Sequence, residues 1–225
     1  FPKSRCGKGR LFPAREAPRM VDNFTGINFG WLGYWTASEN TVGTQPDMLE
    51  YVTSRAAAWD CPVSIHADLK RFAQHQRTPD NLEVLRRWEE VRARHWLTDA
   101  QKHMLKNLAQ EHILLVNEKK EFELTPYDQI PDVANGSREV RAFVFRRAKD
   151  LYVVYWHISG NKKIELPVNA KDITVMESLG GGIHIDQGRS GNTVIIPVGD
   201  RRYIKTSKLS KDELITAFKN ARIVE

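Results

Sequence analysis

The sequence predicts a fold with an α/β region followed by an all-β region. Across residues 26–66, a strand pattern, a polar loop, a helix, a tight turn and a second strand follow one another, and this order describes a βαβ unit with parallel strands. Near residue 130 the helical patterns give way to short β-branched runs separated by glycine, which are typical of an antiparallel sandwich. We therefore predict two domains, 1–129 and 130–225, joined by a linker at 130–139.

The βαβ unit follows from local patterns. "GINFGWLGYW" (26–35) is apolar, aromatic and bounded by glycine, which favours a buried strand. After a polar loop, Thr44 is predicted to cap a helix with Asp47 at the capping-box position. "CPVSIH" (61–66) then reads as a second short buried strand.

Two further helices are predicted after this unit. The first begins with Thr78 as its cap and Pro79 at its first helical position, the arrangement that helices favour. The second begins with Thr98 and carries Gln101 at the capping-box position.

From residue 112 onward the apolar period is that of strands. "HILLVNEKKEFELTPYD" predicts paired strands that turn at Asn117–Lys120. Seven short strands follow: "EVRAFVFRR", "LYVVYWHI", "KKIELPV", "ITVMESL", "GIHIDQ", "NTVIIPVG" and "RRYIKT". Ser210 and Glu213 stand in capping-box register, so the tail is predicted to close the domain with an amphipathic helix.

The net charge of +6 does not predict a nucleic-acid partner. Residues 1–20 hold six basic side chains and one acidic one, so the terminus carries most of the charge and the rest of the chain only +1. A nucleic-acid binder concentrates basic residues on one face of a folded element. No apolar run reaches the roughly 18 residues that span a bilayer, so no membrane span is predicted either.

The sequence predicts no metal site and no cofactor. Cys6 and Cys61 match no metal-ligand spacing, and both a disulfide between them and two unpaired thiols are open. The seven histidines form neither an HxH nor an HExxH pattern. "GGG" at 180–182 lacks the lysine and the helix of a phosphate loop and is interpreted as a turn.

Several segments resemble a known family. "GINFGWLGYW", "GTQPDMLEYVTSRAAAWDCPVSI" and "LEVLRRWEEVR" resemble the C-terminal part of (β/α)8-barrel glycoside hydrolases and related bacterial carbohydrate-active proteins. "AFVFRRAKDLYVVYWHISG", "IELPV" and "IPVGDRRYIKT" resemble the small β-sandwich that follows such barrels. The resemblance implies α/β plus all-β architecture: the C-terminal portion of a parallel (β/α) barrel, then an antiparallel β-sandwich with a closing helix.

The function implied by this resemblance is cleavage of O-glycosidic bonds in a poly- or oligosaccharide, outside the cytoplasm. The alternative is a non-catalytic carbohydrate-binding or structural module. A complete barrel needs about 250 residues, and only about 110 here have a barrel-like pattern. We therefore expect the missing strands to come from an upstream segment or from another copy of the chain.

The candidate site residues follow the two predicted parallel strands, because barrel active sites lie at the carboxyl ends of the strands. Glycoside hydrolysis commonly needs two carboxyl groups, and Glu39 is the candidate catalytic one; a solvated loop acid is the alternative. His66 and Asp68 are candidates for holding substrate hydroxyls, or simply polar residues at a strand end. Arg15, Glu16, Arg19 and Asp22 form a further polar cluster with no diagnostic spacing.

Three aromatic residues are candidates for stacking on sugar rings: Trp31, Tyr34 and Trp35. Neighbouring residues of a strand point to opposite faces, so Tyr34 and Trp35 are not expected to line one site. Trp35 is favoured because it lies nearest the end of the strand.

Overall fold

The computed structural model describes residues 28–179, 188–190 and 192–224. The chain forms two compact units that divide between Leu114 and Leu115. The predicted domain limits, 1–129 and 130–225, stay a proposal. The polar cluster of residues 15–22, Cys6 and the glycines at 180–182 lie outside the described residues.

The first unit alternates short strands with helices. Its elements are β1 (Trp31–Gly33), α1 (Pro46–Ala58), β2 (Ser64–His66), α2 (Leu69–Gln74), α3 (Thr78–Ala93) and α4 (Asp99–Leu105), and β3 (Glu111–Val116) contains the division between the units. Helix α2 is an element that the sequence analysis did not predict.

The parallel pairing of the βαβ unit is confirmed. Strands β1 and β2 run parallel, with Trp31 opposite Ser64 and Gly33 opposite His66. Their paired segments are three residues long, shorter than predicted. Among the described strands with an assigned register, every other pair is antiparallel. A barrel is therefore not part of the structure that the described residues show.

Two of the predicted helix caps are wrong. Helix α1 has Gln45 at its N-cap position, without a side-chain cap bond, so the predicted box of Thr44 and Asp47 does not form. Helix α3 has Arg77 at this position, and Thr78 is its first residue. The two hydroxyl groups bind elsewhere in the first unit, as described below.

The other predicted capping boxes are confirmed. In α4, Thr98 accepts from the backbone N–H of Gln101, whose side chain accepts from the N–H of Thr98. The closing helix of the second unit has the same reciprocal pair between Ser210 and Glu213.

Helices α1 and α3 pack against each other through a buried indole. Trp88 of α3 donates from Nε1 to Glu50 Oε2 of α1 over 2.6 Å, and the same carboxylate oxygen accepts the backbone N–H of Leu114. Cys61 follows α1 in the sequence and is buried, and its Sγ donates to the carbonyl of Trp59. These polar contacts lie within the apolar interior of the first unit.

The second unit is built mainly from antiparallel strands. Its main elements are β4 (Phe122–Gln129), β5 (Val140–Arg147), β6 (Asp150–His157), β7 (Lys162–Leu166), β8 (Thr174–Met176), β9 (Gly188–Ser190), β10 (Thr193–Val198), β11 (Arg202–Thr206), α5 (Lys211–Lys219) and β12 (Arg222–Val224). Two short helical turns, Val133–Gly136 and Ala170–Asp172, lie between them. The predicted closing helix is present as α5. The predicted strand "GIHIDQ" (182–187) lies outside the described residues.

The strands form two sheets, in the orders β3-β4-β5-β6-β11-β8 and β12-β7-β10-β9. One hydrophobic core takes residues from both sheets and from α5, such as Val153, Ile164, Ile196 and Phe218. The antiparallel part of the prediction is confirmed, and the sandwich stays a prediction. Segment 130–139, predicted as a linker, buries Ile130 against this core.

The capping box of α5 permits a stability prediction. Replacing Ser210 by Ala removes the oxygen that accepts the N–H of Glu213, so we expect the free energy of unfolding to fall by about 1 kcal/mol. Urea unfolding followed by circular dichroism measures this change. Ser207→Ala, at an exposed position before the helix, is the control. Equal stabilities of the two variants would contradict the role of the cap.

Candidate functional site

The candidate site lies at the carboxyl ends of the parallel pair β1 and β2. The backbone N–H of Tyr34 donates to the carbonyl of His66, so the pairing continues for one bond past the strands. The chain then enters the loop of residues 35–44 before α1, while β2 leads into α2. Ligands of α/β proteins bind at such carboxyl edges, and both connections carry polar and aromatic side chains here.

The loop of residues 35–44 is closed by Thr44. The Thr44 hydroxyl accepts the backbone N–H of Trp35 over 2.9 Å and donates to the carbonyl of Gly33 over 3.2 Å. The Thr44 N–H in turn donates to the Trp35 carbonyl over 2.8 Å. Gly43 completes the turn with φ +71°, and a Cβ there would lie 2.6 Å from the Trp35 carbonyl oxygen. Only glycine fits this position without strain.

The indole of Trp35 is 55% exposed and lies against Gly33. A Cβ on Gly33 would lie 2.5 Å from the indole Nε1, so the glycine makes room for the ring. Arg71 of α2 places its guanidinium carbon 4.4 Å from the centre of the Trp35 ring. This distance is that of a cation–π contact, which orients the arginine next to an exposed aromatic surface.

Arg71 is held at the site by two oxygen atoms. Its Nε lies 3.7 Å from Asp68 Oδ2, and its Nη1 donates to the Tyr34 carbonyl over 3.5 Å. Asp68 is also the N-cap of α2, because its Oδ1 accepts the backbone N–H of Arg71 over 2.8 Å. The site therefore offers an aromatic surface, guanidinium donors and a carboxylate acceptor side by side.

A buried polar network supports the site from beneath. Tyr34 is 1% exposed, and its hydroxyl shares a 2.7 Å hydrogen bond with Thr78 Oγ1. Asn81 of α3 donates from Nδ2 to the Tyr34 hydroxyl and to the Thr44 carbonyl, 3.0 Å each. Thr78 Oγ1 donates to the Phe72 carbonyl, and the Phe72 ring stacks on Tyr34 with centroids 4.5 Å apart.

His75 lies beside this network in a neutral state at neutral pH. Its ring centroid is 5.3 Å from that of Tyr34, and its Nδ1 accepts the backbone N–H of Arg77. Burial is the main cause that lowers the pKa of His75 below its usual value, because the protonated ring loses hydration there. The network is thus uncharged, which suits a supporting role.

The predicted site residues differ in what they offer to a ligand. Trp31 is 76% exposed on β1, and His66 is exposed at the end of β2. Tyr34 is buried and Trp35 is exposed, although both follow β1 and do not lie in it, and the buried Tyr34 ring is not available for stacking. Glu39 lies exposed in the turn closed by Ser38 and Thr41.

The structure brings Trp35 and Asp68 together through Arg71, a residue that the sequence analysis missed. The sequence offers only Asp68, a residue type that caps helices, and no pattern indicates the contact between Arg71 and Trp35. Thr44 was noticed, but as a cap of α1. Among residues 28–179, 188–190 and 192–224, no group of three histidine, cysteine or acidic side chains is arranged to hold a metal ion.

Comparison with known proteins adds little to this description. No family model matches the chain, and no curated protein matches its sequence. Two solved structures show a weak similarity. One is an α-amylase from Anoxybacillus, with a TM-score of 0.26 and 11% sequence identity over 71% of this chain. The other is AmyP in complex with maltotriose, with a TM-score of 0.27 and 10% sequence identity over 77% of this chain. The chain spans 33% and 37% of these two proteins. A likeness of this size does not establish a common fold.

In the part of the chain that the structure describes, no helix is both long and apolar enough to cross a membrane.

Proposed function

We propose that the chain binds carbohydrate through Trp35, Arg71 and Asp68. A sugar ring presents an apolar face of C–H groups and a rim of hydroxyl groups. The exposed indole suits the first, since aromatic rings present a large, flat apolar surface. The guanidinium and the carboxylate suit the second, since one donates and the other accepts charge-assisted hydrogen bonds.

The observation that carries this proposal is the arrangement around Trp35. The ring is 55% exposed although its backbone N–H and C=O are both bound to Thr44 and its edge rests on Gly33. The contacts with Gly33 and Arg71 hold the indole in place and still leave more than half of Trp35 exposed. A surface fixed in this way is ready to receive a ligand without further ordering.

We further propose that this site belongs to a glycoside hydrolase that cleaves O-glycosidic bonds. Glu39 lies in the same loop as Trp35, past the carboxyl end of β1, and is the proposed catalytic carboxylate. Trp31 and His66, both exposed on the β1–β2 pair, are proposed to extend the substrate contacts. The second carboxyl group and the rest of the barrel would come from an upstream segment or from another copy of the chain.

A non-catalytic carbohydrate-binding or structural module is the alternative. It would use Trp35 and Arg71 in the same way but would leave Glu39 without a function. Binding and hydrolysis are therefore tested by separate variants: Trp35 tests whether sugar binds, and Glu39 tests whether a bond is cleaved.

Affinity gel electrophoresis with soluble starch, β-glucan, xylan and pectin tests the binding. We expect at least one of these polysaccharides to retard the chain, and Trp35→Ala to weaken that interaction at least about tenfold, because central aromatic contacts dominate binding energies. Leu82→Ala is the control, because Leu82 is a similarly exposed apolar residue on α3, at 46%. We expect it to bind like the unmodified chain.

Two results would contradict the binding proposal. One is normal migration of the chain in all four polysaccharides. The other is equal retardation of the Trp35→Ala variant and the unmodified chain, which would place any sugar contact elsewhere.

A further inference from the structure

We infer that Thr44 is a positioning residue, which fixes the indole of Trp35 in the orientation that the proposed carbohydrate site requires. The inference rests on the proposed function for its consequence in binding, but its geometric part stands on hydrogen bonds within the first unit. Thr44 is 7% exposed, so it acts on the proposed site through the residues that it binds and not by direct contact with a ligand.

The Thr44 side chain serves two backbone groups on either side of the Trp35 loop. Its Oγ1 accepts the N–H of Trp35 and donates its own proton to the carbonyl of Gly33. Only a hydroxyl group can accept from one of these groups and donate to the other with a single atom. The backbone of Thr44 adds a third bond, from its N–H to the Trp35 carbonyl. Both backbone polar groups of Trp35, its N–H and its C=O, are thereby hydrogen-bonded to Thr44.

Thr44 is itself anchored to the interior. The buried amide of Asn81 donates to the Thr44 carbonyl and to the Tyr34 hydroxyl, both over 3.0 Å. Because Tyr34 directly precedes Trp35, this one amide ties together the two ends of the loop. A rigid connection therefore runs from α3 through Thr44 to the exposed indole.

The consequence concerns the cost of binding. A ring whose edge is already held against Gly33 loses little conformational freedom when a ligand stacks on it. Without the Thr44 hydroxyl, the Trp35 N–H and the Gly33 carbonyl lose their partner, and the loop samples other conformations. The indole then has to be ordered during binding, so the affinity falls although no ligand contact has been removed.

Two variants of Thr44 and a control at Thr53 separate this role from general stability. Thr44→Val keeps the shape and loses the hydroxyl, and Thr44→Ser keeps the hydroxyl. Thr53→Val is the matched control, because the buried Thr53 hydroxyl donates to the Leu49 carbonyl over 2.7 Å inside α1, apart from the loop. If Thr44→Val does not fold, Thr44→Ala takes its place.

The first measurement needs no ligand. The ¹H–¹⁵N signal of the Trp35 indole, assigned by its loss in Trp35→Phe, reports the mobility of the ring through its relaxation. We expect this signal to move and its mobility to rise in Thr44→Val, and to remain as in the unmodified chain in Thr44→Ser and Thr53→Val. An unchanged Trp35 signal in Thr44→Val would overturn the inference, whatever the chain binds.

The second measurement is the affinity for whichever of starch, β-glucan, xylan or pectin retards the chain most. We expect Thr44→Val to bind at least about fivefold more weakly, because it loses both hydrogen bonds of the hydroxyl and one such bond contributes about that factor, with Thr44→Ser close to the unmodified chain. Equal weakening in Thr53→Val would show a general loss of stability and overturn the positioning role. If no polysaccharide binds, the proposed function fails, and the indole signal alone decides whether Thr44 holds Trp35.

Discussion

Glu39→Gln is expected to lower turnover at least about a hundredfold in the proposed glycoside hydrolase. The amide keeps the shape and polarity of the side chain but supplies neither a nucleophile nor a base. Because Glu39 lies in an exposed turn, we expect the melting temperature to change little. Release of reducing sugar measures the turnover, and thermal unfolding measures the stability.

Glu118→Gln is the control for this prediction. Glu118 is also an exposed carboxylate in a turn, but it lies in the hairpin between β3 and β4. The neutralisation of Glu118 is expected to leave turnover unchanged. Full activity of Glu39→Gln would remove Glu39 from the catalytic residues and favour the non-catalytic carbohydrate module. A large loss together with a lower melting temperature would instead indicate that the turn, not the chemistry, depends on the carboxylate.

The features that were predicted correctly from the sequence are those set by residues close together in the chain. The boxes of Thr98 with Gln101 and Ser210 with Glu213 each join residues three positions apart, so the pattern holds all the information that the structure uses. The parallel pairing of β1 and β2 follows in the same way, because a helix between two short strands leaves them running in one direction.

The wrong caps show where local reasoning ends. Thr44 lies just before α1 and Thr78 is the first residue of α3, and both have the right hydroxyl group, yet their oxygens bind Trp35 and Tyr34. A threonine hydroxyl has several partners of similar strength, and tertiary packing selects among them. Helix α1 consequently starts at Pro46, and the Gln45 side chain at its N-cap position makes no cap bond. The misassigned residues are also those that support the candidate site.

The position of the candidate site stays a prediction, and the structure adds Arg71 to its predicted residues. Its position followed from the rule that ligands bind at the carboxyl ends of parallel strands, and Trp35, His66 and Asp68 lie there. The position of the Arg71 guanidinium depends on α2, and the pattern of this six-residue helix is too short to recognise in the sequence. A cation–π contact between residues 36 positions apart has no local signal.

The largest effect on stability is expected for Trp88→Ala, with a loss of about 3–5 kcal/mol in the free energy of unfolding. Trp88 is 1% exposed between α3 and α1, so its removal leaves a large cavity. The same change takes away the indole N–H that binds the buried Glu50 carboxylate over 2.6 Å. Urea unfolding followed by circular dichroism, with the denaturant slope compared between variants, measures the loss.

Trp88→Phe separates the two contributions. Phenylalanine fills most of the space but cannot donate to Glu50, so we expect a smaller loss of about 1–3 kcal/mol, the cost of a buried group that loses its partner. Trp31→Ala, at 76% exposure, should stay within about 0.5 kcal/mol of the unmodified chain. If Trp88→Phe is as destabilised as Trp88→Ala, the hydrogen bond to Glu50 dominates. If both variants lie within about 1 kcal/mol of the unmodified chain, Trp88 does not hold α1 and α3 together, because the loss of a packed indole costs several times that amount.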